Sequence, residues 1–158
     1  MRVIVQHAWG AQPWKNGAGT THEIWRTPDG EPDYDVRVSV AEVTESGTFS
    51  LFPGYRRWSF LVGTAPIELL HGSPFHLVAQ GDHIELPGEA SITATLRAGP
   101  THLLNILARV PIVVGHGPSA HPVRFVFALV PRPQLARWEA AVLDSPAPID
   151  TTDCIWIA

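Results

Sequence analysis

The stretch Pro13-Trp14-Lys15-Asn16-Gly17-Ala18-Gly19-Thr20-Thr21 brings an aromatic plate, an amide, hydroxyls and two glycines into nine residues. Such a loop has the parts to hold a small molecule. Trp14 can cover an apolar face, Asn16 can donate and accept, and Gly17 and Gly19 let a ligand approach backbone N–H groups. The plainer alternative is a tight structural turn, the commonest use of glycine. No nucleotide-binding pattern fits, because the Lys-Ser/Thr pair of a phosphate loop is missing and no βαβ unit surrounds the glycines.

Arginines extend the candidate site, since a planar guanidinium recognises a carboxylate through paired hydrogen bonds. Arg37, Arg57 and Arg109 are the candidates. In Val36-Arg37-Val38-Ser39-Val40, strand geometry puts Arg37 and Ser39 on one face and the valines on the other. Arg57 directly follows Arg56 and reads equally as a structural or solvent-facing charge; Arg109, at a strand end, reads more simply as exposed. Asn105 sits between Leu104 and Ile106, where a polar side chain on an inner face must find a partner.

Covalent and metal chemistry find less support. A nucleophile needs a positioned base, and neither a Gly-x-Ser-x-Gly elbow nor a Cys-x-x-Cys pair occurs. Cys154, beside Ile155-Trp156-Ile157, reads as a small buried hydrophobe. His22 and Glu23 are adjacent on a predicted strand and therefore point to opposite faces. The nearest approach to a metal-ligand pattern is His83-x-Glu85 with His76 upstream, for which a turn-bound histidine is the simpler reading; His71, His102, His116 and His121 are scattered. The sequence predicts no metal, no cofactor and no catalytic residue.

These side chains must be positioned by strands. Short runs rich in Val, Ile, Phe, Trp and Thr, separated by Pro and Gly clusters at about ten-residue spacing, predict an all-β sandwich or barrel. The predicted strands are Arg2 to Gln6, Thr20 to Arg26, Tyr34 to Glu42, Arg57 to Gly63, Pro66 to Leu70, His83 to Leu86, Ser91 to Leu96, His102 to Ala108, Ile112 to Val114, Val123 to Val130 and Cys154 to Ile157. Leu135, Trp138 and Val142 are spaced as an apolar helical stripe over 133–143. The loop Gly115 to Pro122 is the candidate joint between two modules.

Composition narrows the class. The 158 residues carry 11 basic and 15 acidic side chains, for a net charge of −4, and Lys15 is the one lysine. No basic patch is available to neutralise many phosphates, so nucleic acid is not an expected partner. No membrane span or leader pattern stands out, and a single cysteine excludes an internal disulfide, so a soluble cytoplasmic protein is expected.

Taken in order, Trp14-x-Asn16-Gly17-x-Gly19-x-Thr21-x-Glu23-Ile24, Arg37-x-Ser39-x-Ala41, Gly47-x-Phe49-Ser50-x-Phe52-Pro53-Gly54-x-x-Arg57 and Gly99-Pro100-Thr101 with Asn105 and Arg109 resemble the HutD/Ves family over about residues 9 to 110. The resemblance implies a cupin-type antiparallel β-barrel, described as a compact bicupin. It assigns Trp138 to Leu143 to a strand of the second barrel, against the helical spacing. It also implies ligand-binding roles for Trp14, Asn16, Gly17, Gly19, Thr21, Glu23, Arg37, Ser39, Arg57 and Asn105, a link to histidine utilisation with urocanate or a formylated glutamate as ligand, and a homodimer.

The chain departs from the family pattern at three places. Ala18 replaces a glycine, so its methyl group is expected to restrict one approach to the backbone. Arg56 and Leu103 stand where the family has acidic residues, which would make a pocket they face more positive. The reading favoured by these features is a non-catalytic sensor or accessory protein for a small carboxylated metabolite. A cupin-type isomerase or hydrolase using Glu23 or His83, and an interaction protein without a small ligand, are the alternatives.

Overall fold

A computed structural model describes residues 1–158. The chain forms fifteen strands, and every pairing between them is antiparallel. In chain order they are β1 (Arg2–Ile4), β2 (Gly10–Pro13), β3 (Gly19–Thr27), β4 (Val36–Val43) and β5 (Gly47–Thr48). Next come β6 (Arg56–Leu61), β7 (Ile67–His71), β8 (Ser73–Leu77), β9 (His83–Pro87) and β10 (Thr93–Thr95). The last five are β11 (Thr101–Ala108), β12 (Val114–His116), β13 (Val123–Ala128), β14 (Ala140–Ala147) and β15 (Cys154–Ile157). No helix is long and apolar enough to cross a membrane.

The chain divides into two compact units, one of Gly10–Val110 and one of Met1–Trp9 with Pro111–Ala158. The latter holds a five-stranded sheet in the order β1-β14-β13-β15-β12. Val126, Ala128, Ala141, Cys154 and Trp156 pack into its core. Cys154 is buried there, and burial raises its thiol pKa, as its apolar neighbours predict. The helical spacing over 133–143 is overturned. Trp138 adopts a left-handed φ of 66°, and Ala140–Ala147 then runs as a strand between β1 and β13. The apparent stripe joins side chains of a tight turn to those of a strand, so its 3.6-residue period belongs to no single element.

The Gly10–Val110 unit carries the candidate site. Its six-stranded sheet, in the order β2-β3-β4-β11-β6-β9, faces a four-stranded one ordered β5-β10-β7-β8. Leu61 and Leu103 from the first sheet pack with Leu69 and Ala94 from the second and with Ile92 just before β10, sealing one end of the space between them. The opposite face of the six-stranded sheet is apolar and fully buried at Val38, Val40, Phe60, Leu104 and Ile106. Alternation along Val36–Val40 therefore separates the two faces as the sequence predicts. The hairpin strand β8, which turns from β7 at Gly72 with φ +70°, was not predicted because Gly72-Ser73-Pro74 reads as loop.

One irregularity governs the site. Along β3, Glu23 pairs with Ser39 but Trp25 pairs with Val38, so Ile24 is an extra residue in a β-bulge. Beyond it the alternation of faces is reversed, and Arg26 lies on the same face as Glu23.

Candidate functional site

The free end of this sandwich encloses a cavity of about 500 Å³, within the roughly 300–1,000 Å³ usual for small-molecule sites. Cross-strand register builds its sheet wall in rows. Arg26, Arg37, Leu107 and Arg57 stand opposite one another in one row, and Glu23, Ser39, Asn105 and Ser59 in the next. The Ser59 hydroxyl donates to Asn105 Oδ1 at 2.5 Å. That bond fixes the amide, leaving its nitrogen as the group that can donate to a ligand.

The turn between β2 and β3 forms a second wall. Trp14 N donates to the Gly19 carbonyl at 2.9 Å and Gly17 N to the Trp14 carbonyl at 3.1 Å, closing the turn. Gly17 takes a left-handed φ of +74°. At Gly19 the need is for space: a Cβ there would stand 2.4 Å from the Glu42 carbonyl oxygen. The Trp14 ring donates to Thr21 Oγ1 at 2.8 Å and meets Phe49 edge-on, with ring centres 5.7 Å apart. Asn16 is spent largely on the turn itself, accepting from Ala18 N at 3.0 Å and donating to the Thr48 carbonyl at 3.3 Å.

The segment after β5 completes the enclosure. Phe49 N donates to the Ile92 carbonyl at 3.0 Å, and Phe52 N to the Gly88 carbonyl at 2.7 Å. These bonds bring Phe49, Ser50 and Phe52 around Arg57.

Arg57 is the electrostatic centre of the cavity. It is only 4% exposed, and its Nη2 donates to the Ser50 carbonyl at 3.0 Å. The rings of Phe52 and Phe49 lie 5.0 and 5.9 Å from its guanidinium carbon, in reach of cation–π attraction. Its Nε and Nη1 have no acceptor in the protein. Burial lowers its pKa to about 10, so it remains a cation at neutral pH. A buried cation without a counter-charge costs several kcal/mol, and groups of this kind cluster at functional sites.

Arg37 is differently placed. Its Nε donates to Glu23 Oε1 at 2.7 Å, and Arg26 grips the same carboxylate through two bonds of 2.6 and 3.0 Å. Burial alone would raise the Glu23 carboxyl, but the bonds and charges of Arg26 and Arg37 outweigh it and hold the pKa below the ordinary value. No lining residue is acidic, while Lys15, Arg37 and Arg57 are cationic. The cavity is thus built to attract an anion.

The structure brings Trp14, Asn16, Thr21, Arg37, Ser39, Arg57 and Asn105 together on one cavity. Gly17, Gly19 and Glu23 are not among its lining residues: the glycines shape the turn and Glu23 is engaged with arginines. Arg109 lies elsewhere, paired at 3.0 Å with Asp35 on the surface. The Ala18 methyl is buried facing Gly47 rather than lining the cavity. Arg56 pairs with Glu85 at 2.5 Å on an exposed surface, and Leu103 is sealed in the core, so neither departure adds charge to the cavity wall. Phe49 and Phe52 also line the cavity, together with Gln12, Thr48, Ser50 and Leu107. The motif Phe49-Ser50-x-Phe52 was the signal that could have found them. No three His, Cys, Asp or Glu side chains gather where they could hold a metal. His83 stacks on Phe60 with ring centres 4.4 Å apart.

The family model for HutD matches residues 6–130, a run that contains the whole cavity. The chain belongs to the HutD family. An uncharacterised 21.2 kDa protein in the hutC 3′ region of Pseudomonas putida is 35% identical to it over 97 residues, covering 60% of this chain and 51% of that protein. Protein Ves of Citrobacter koseri is 35% identical over 98 residues, covering 61% and 51%. The chain therefore spans about half the length of the curated relatives it matches. HutD from Pseudomonas fluorescens SBW25, in its formate condition, superposes with a TM-score of 0.83 at 25% identity, over 99% of this chain and 96% of that one. An RmlC-like cupin from Shewanella frigidimarina superposes at 0.51 and 9% identity, over 67% and 88%, which makes this HutD-family fold cupin-like.

Proposed function

We propose that this protein is a non-catalytic sensor or accessory protein of compact bicupin type that binds a small carboxylated metabolite within a histidine-utilisation system. The single observation that carries the reading is Arg57, a buried cation without a counter-charge in the protein, on the wall of a cavity free of acidic residues. A carboxylate in the cavity supplies the missing charge. Arg37, already oriented by Glu23, and the Asn105 amide are placed to bind the polar remainder, and Trp14 covers it. The family and the hutC-region relative supply the link to histidine utilisation. A homodimer and a cytoplasmic setting belong to the same reading.

Thermal unfolding against urocanate, formylglutamate, histidine, glutamate and acetate tests it. An acid that binds the folded state alone adds about 2.7 kcal/mol at a hundredfold excess over its Kd. A selective rise with one acid, lost in Arg57→Leu, is expected. No rise with any carboxylate overturns the reading.

A further inference from the structure

We propose that the Phe49–Phe52 segment is an autoinhibitory strap: in the free protein the Ser50 carbonyl occupies Arg57, and an incoming carboxylate takes its place. The inference rests on the carboxylate-binding reading and adds how access to that site is regulated.

Arg57 is among the residues lining the cavity, yet its guanidinium is not open to it. Its Nη2 donates to the Ser50 carbonyl at 3.0 Å, and the Phe52 and Phe49 rings flank the group at 5.0 and 5.9 Å. Its Nε and Nη1 are closed off from solvent and have no acceptor. A paired contact with a carboxylate uses two of the three nitrogens. Every such pair includes Nε or Nη1, so no paired contact can form while the segment stays in place.

The segment is pinned at both ends and loose between them. At one end Phe49 N donates to the Ile92 carbonyl at 3.0 Å, and at the other Phe52 N donates to the Gly88 carbonyl at 2.7 Å. A Cβ at Gly88 would run into the Phe52 and Tyr55 carbonyls, so that end sits directly on the Gly88 backbone. Ser50 and Leu51, between the anchors, are exposed, Leu51 by 53%. The peptide that carries the Ser50 carbonyl can therefore turn with little loss of packing.

The closed arrangement is costly to hold, because it keeps a cation without a counter-charge and two N–H groups without acceptors out of water. A peptide carbonyl offers Arg57 one neutral acceptor, whereas a carboxylate offers two charged oxygens matched to the guanidinium fork. The acid thus interacts differently with the two positions of the strap, which is what shifting a conformational equilibrium requires. A neutral amide brings no charge and leaves the strap down, so the Ser50 carbonyl also serves to exclude uncharged molecules.

Co-crystals of the full chain with acetate and with formylglutamate test this directly. The Ser50 carbonyl is expected to have turned out of hydrogen-bond reach of Arg57, with a carboxylate on the fork in its place. Leu51→Gly frees the strap backbone at a residue outside the cavity lining. By titration calorimetry it is expected to bind acid at least about threefold more tightly, because less of the protein is held closed. Without acid, phenylglyoxal followed by mass spectrometry should modify Arg57 at least about threefold faster in this variant, with the exposed Arg97 unchanged. An acid bound to Arg57 with the Ser50 carbonyl still on Nη2, or equal affinity and equal Arg57 reactivity in Leu51→Gly, overturns the strap. The carboxylate site then stands if Arg57→Leu abolishes binding. Failure of both acids to bind either protein overturns both.

Discussion

Glu23 and Arg37 lie fourteen positions apart and meet through a 2.7 Å hydrogen bond from Arg37 Nε to Glu23 Oε1. The carboxylate holds the arginine at the edge of the cavity while cancelling part of its charge, so one contact sets both the position and the field of an anion-binding group. Replacing Glu23 with Gln keeps most of the shape and removes the negative charge. Carboxylate affinity is expected to rise about three- to tenfold by titration calorimetry, at a stability cost of about 1–2 kcal/mol for the weakened charge-assisted bonds.

Acid sensitivity should track the same group. The folded pKa of Glu23 is lower than its ordinary value, so its stabilising contribution is fully present above the unfolded value of about 4.3 and is lost as pH falls through the lower folded one. Urea denaturation between pH 6 and 3 should show a shallower acid loss in Glu23→Gln than in the unaltered protein.

Arg57→Leu separates stability from binding. It removes a buried, incompletely bonded cation and leaves a side chain that Phe49 and Phe52 can pack against. Thermal unfolding should show an unchanged or higher midpoint, by up to about 2 kcal/mol of stability, while carboxylate binding disappears.

Alkaline pH should act through the same guanidinium. With its pKa lowered to about 10, Arg57 loses its proton before an ordinary arginine, and an anion that needs the charged form binds about tenfold more weakly for each unit above that value. Unaltered affinity up to pH 11 would remove Arg57 from the site.

The two turn glycines should respond differently to alanine. A Cβ at Gly17 meets open space, although φ is +74°, so Gly17→Ala should cost about 1–2 kcal/mol and keep binding. At Gly19 the Cβ would press on the Glu42 carbonyl at 2.4 Å and on the Trp14 ring at 3.1 Å. Gly19→Ala should displace Trp14 and abolish binding, with a clear fall in the thermal midpoint and a shift of tryptophan fluorescence.

The sheet that carries the site was readable because Val36–Val40 alternates without interruption, which alone places Arg37 and Ser39 on one face. The same argument applied to Arg57-Trp58-Ser59-Phe60 would have put Arg57 and Ser59 on that face too, but Arg56 beside Arg57 made the pair look like surface charge. Which of the two is buried depends on their register against Leu107 and Ala108, a long-range fact no local pattern contains. Glu23 was grouped with the ligand contacts because its motif neighbours are there. Its engagement with two arginines follows from the β3 bulge, which one sequence does not announce. The helical spacing around Trp138 failed for a related reason: periodicity assumes a single element, and a left-handed residue at that position divides two.

The extra residue at Ile24 also has a consequence for how this sequence can change. Residues three apart on a regular strand face opposite ways, so Glu23 and Arg26 can share one carboxylate–guanidinium contact only because the bulge shifts the count by one. Deleting Ile24 would remove the bulge yet keep Glu23 and Arg26 on one face, two positions apart, whereas regular pairing with Ile24 retained would turn Arg26 away and leave Glu23 to Arg37 alone. Along this strand it is the pairing register, and not the number of residues, that decides which side chains meet at the Glu23 carboxylate.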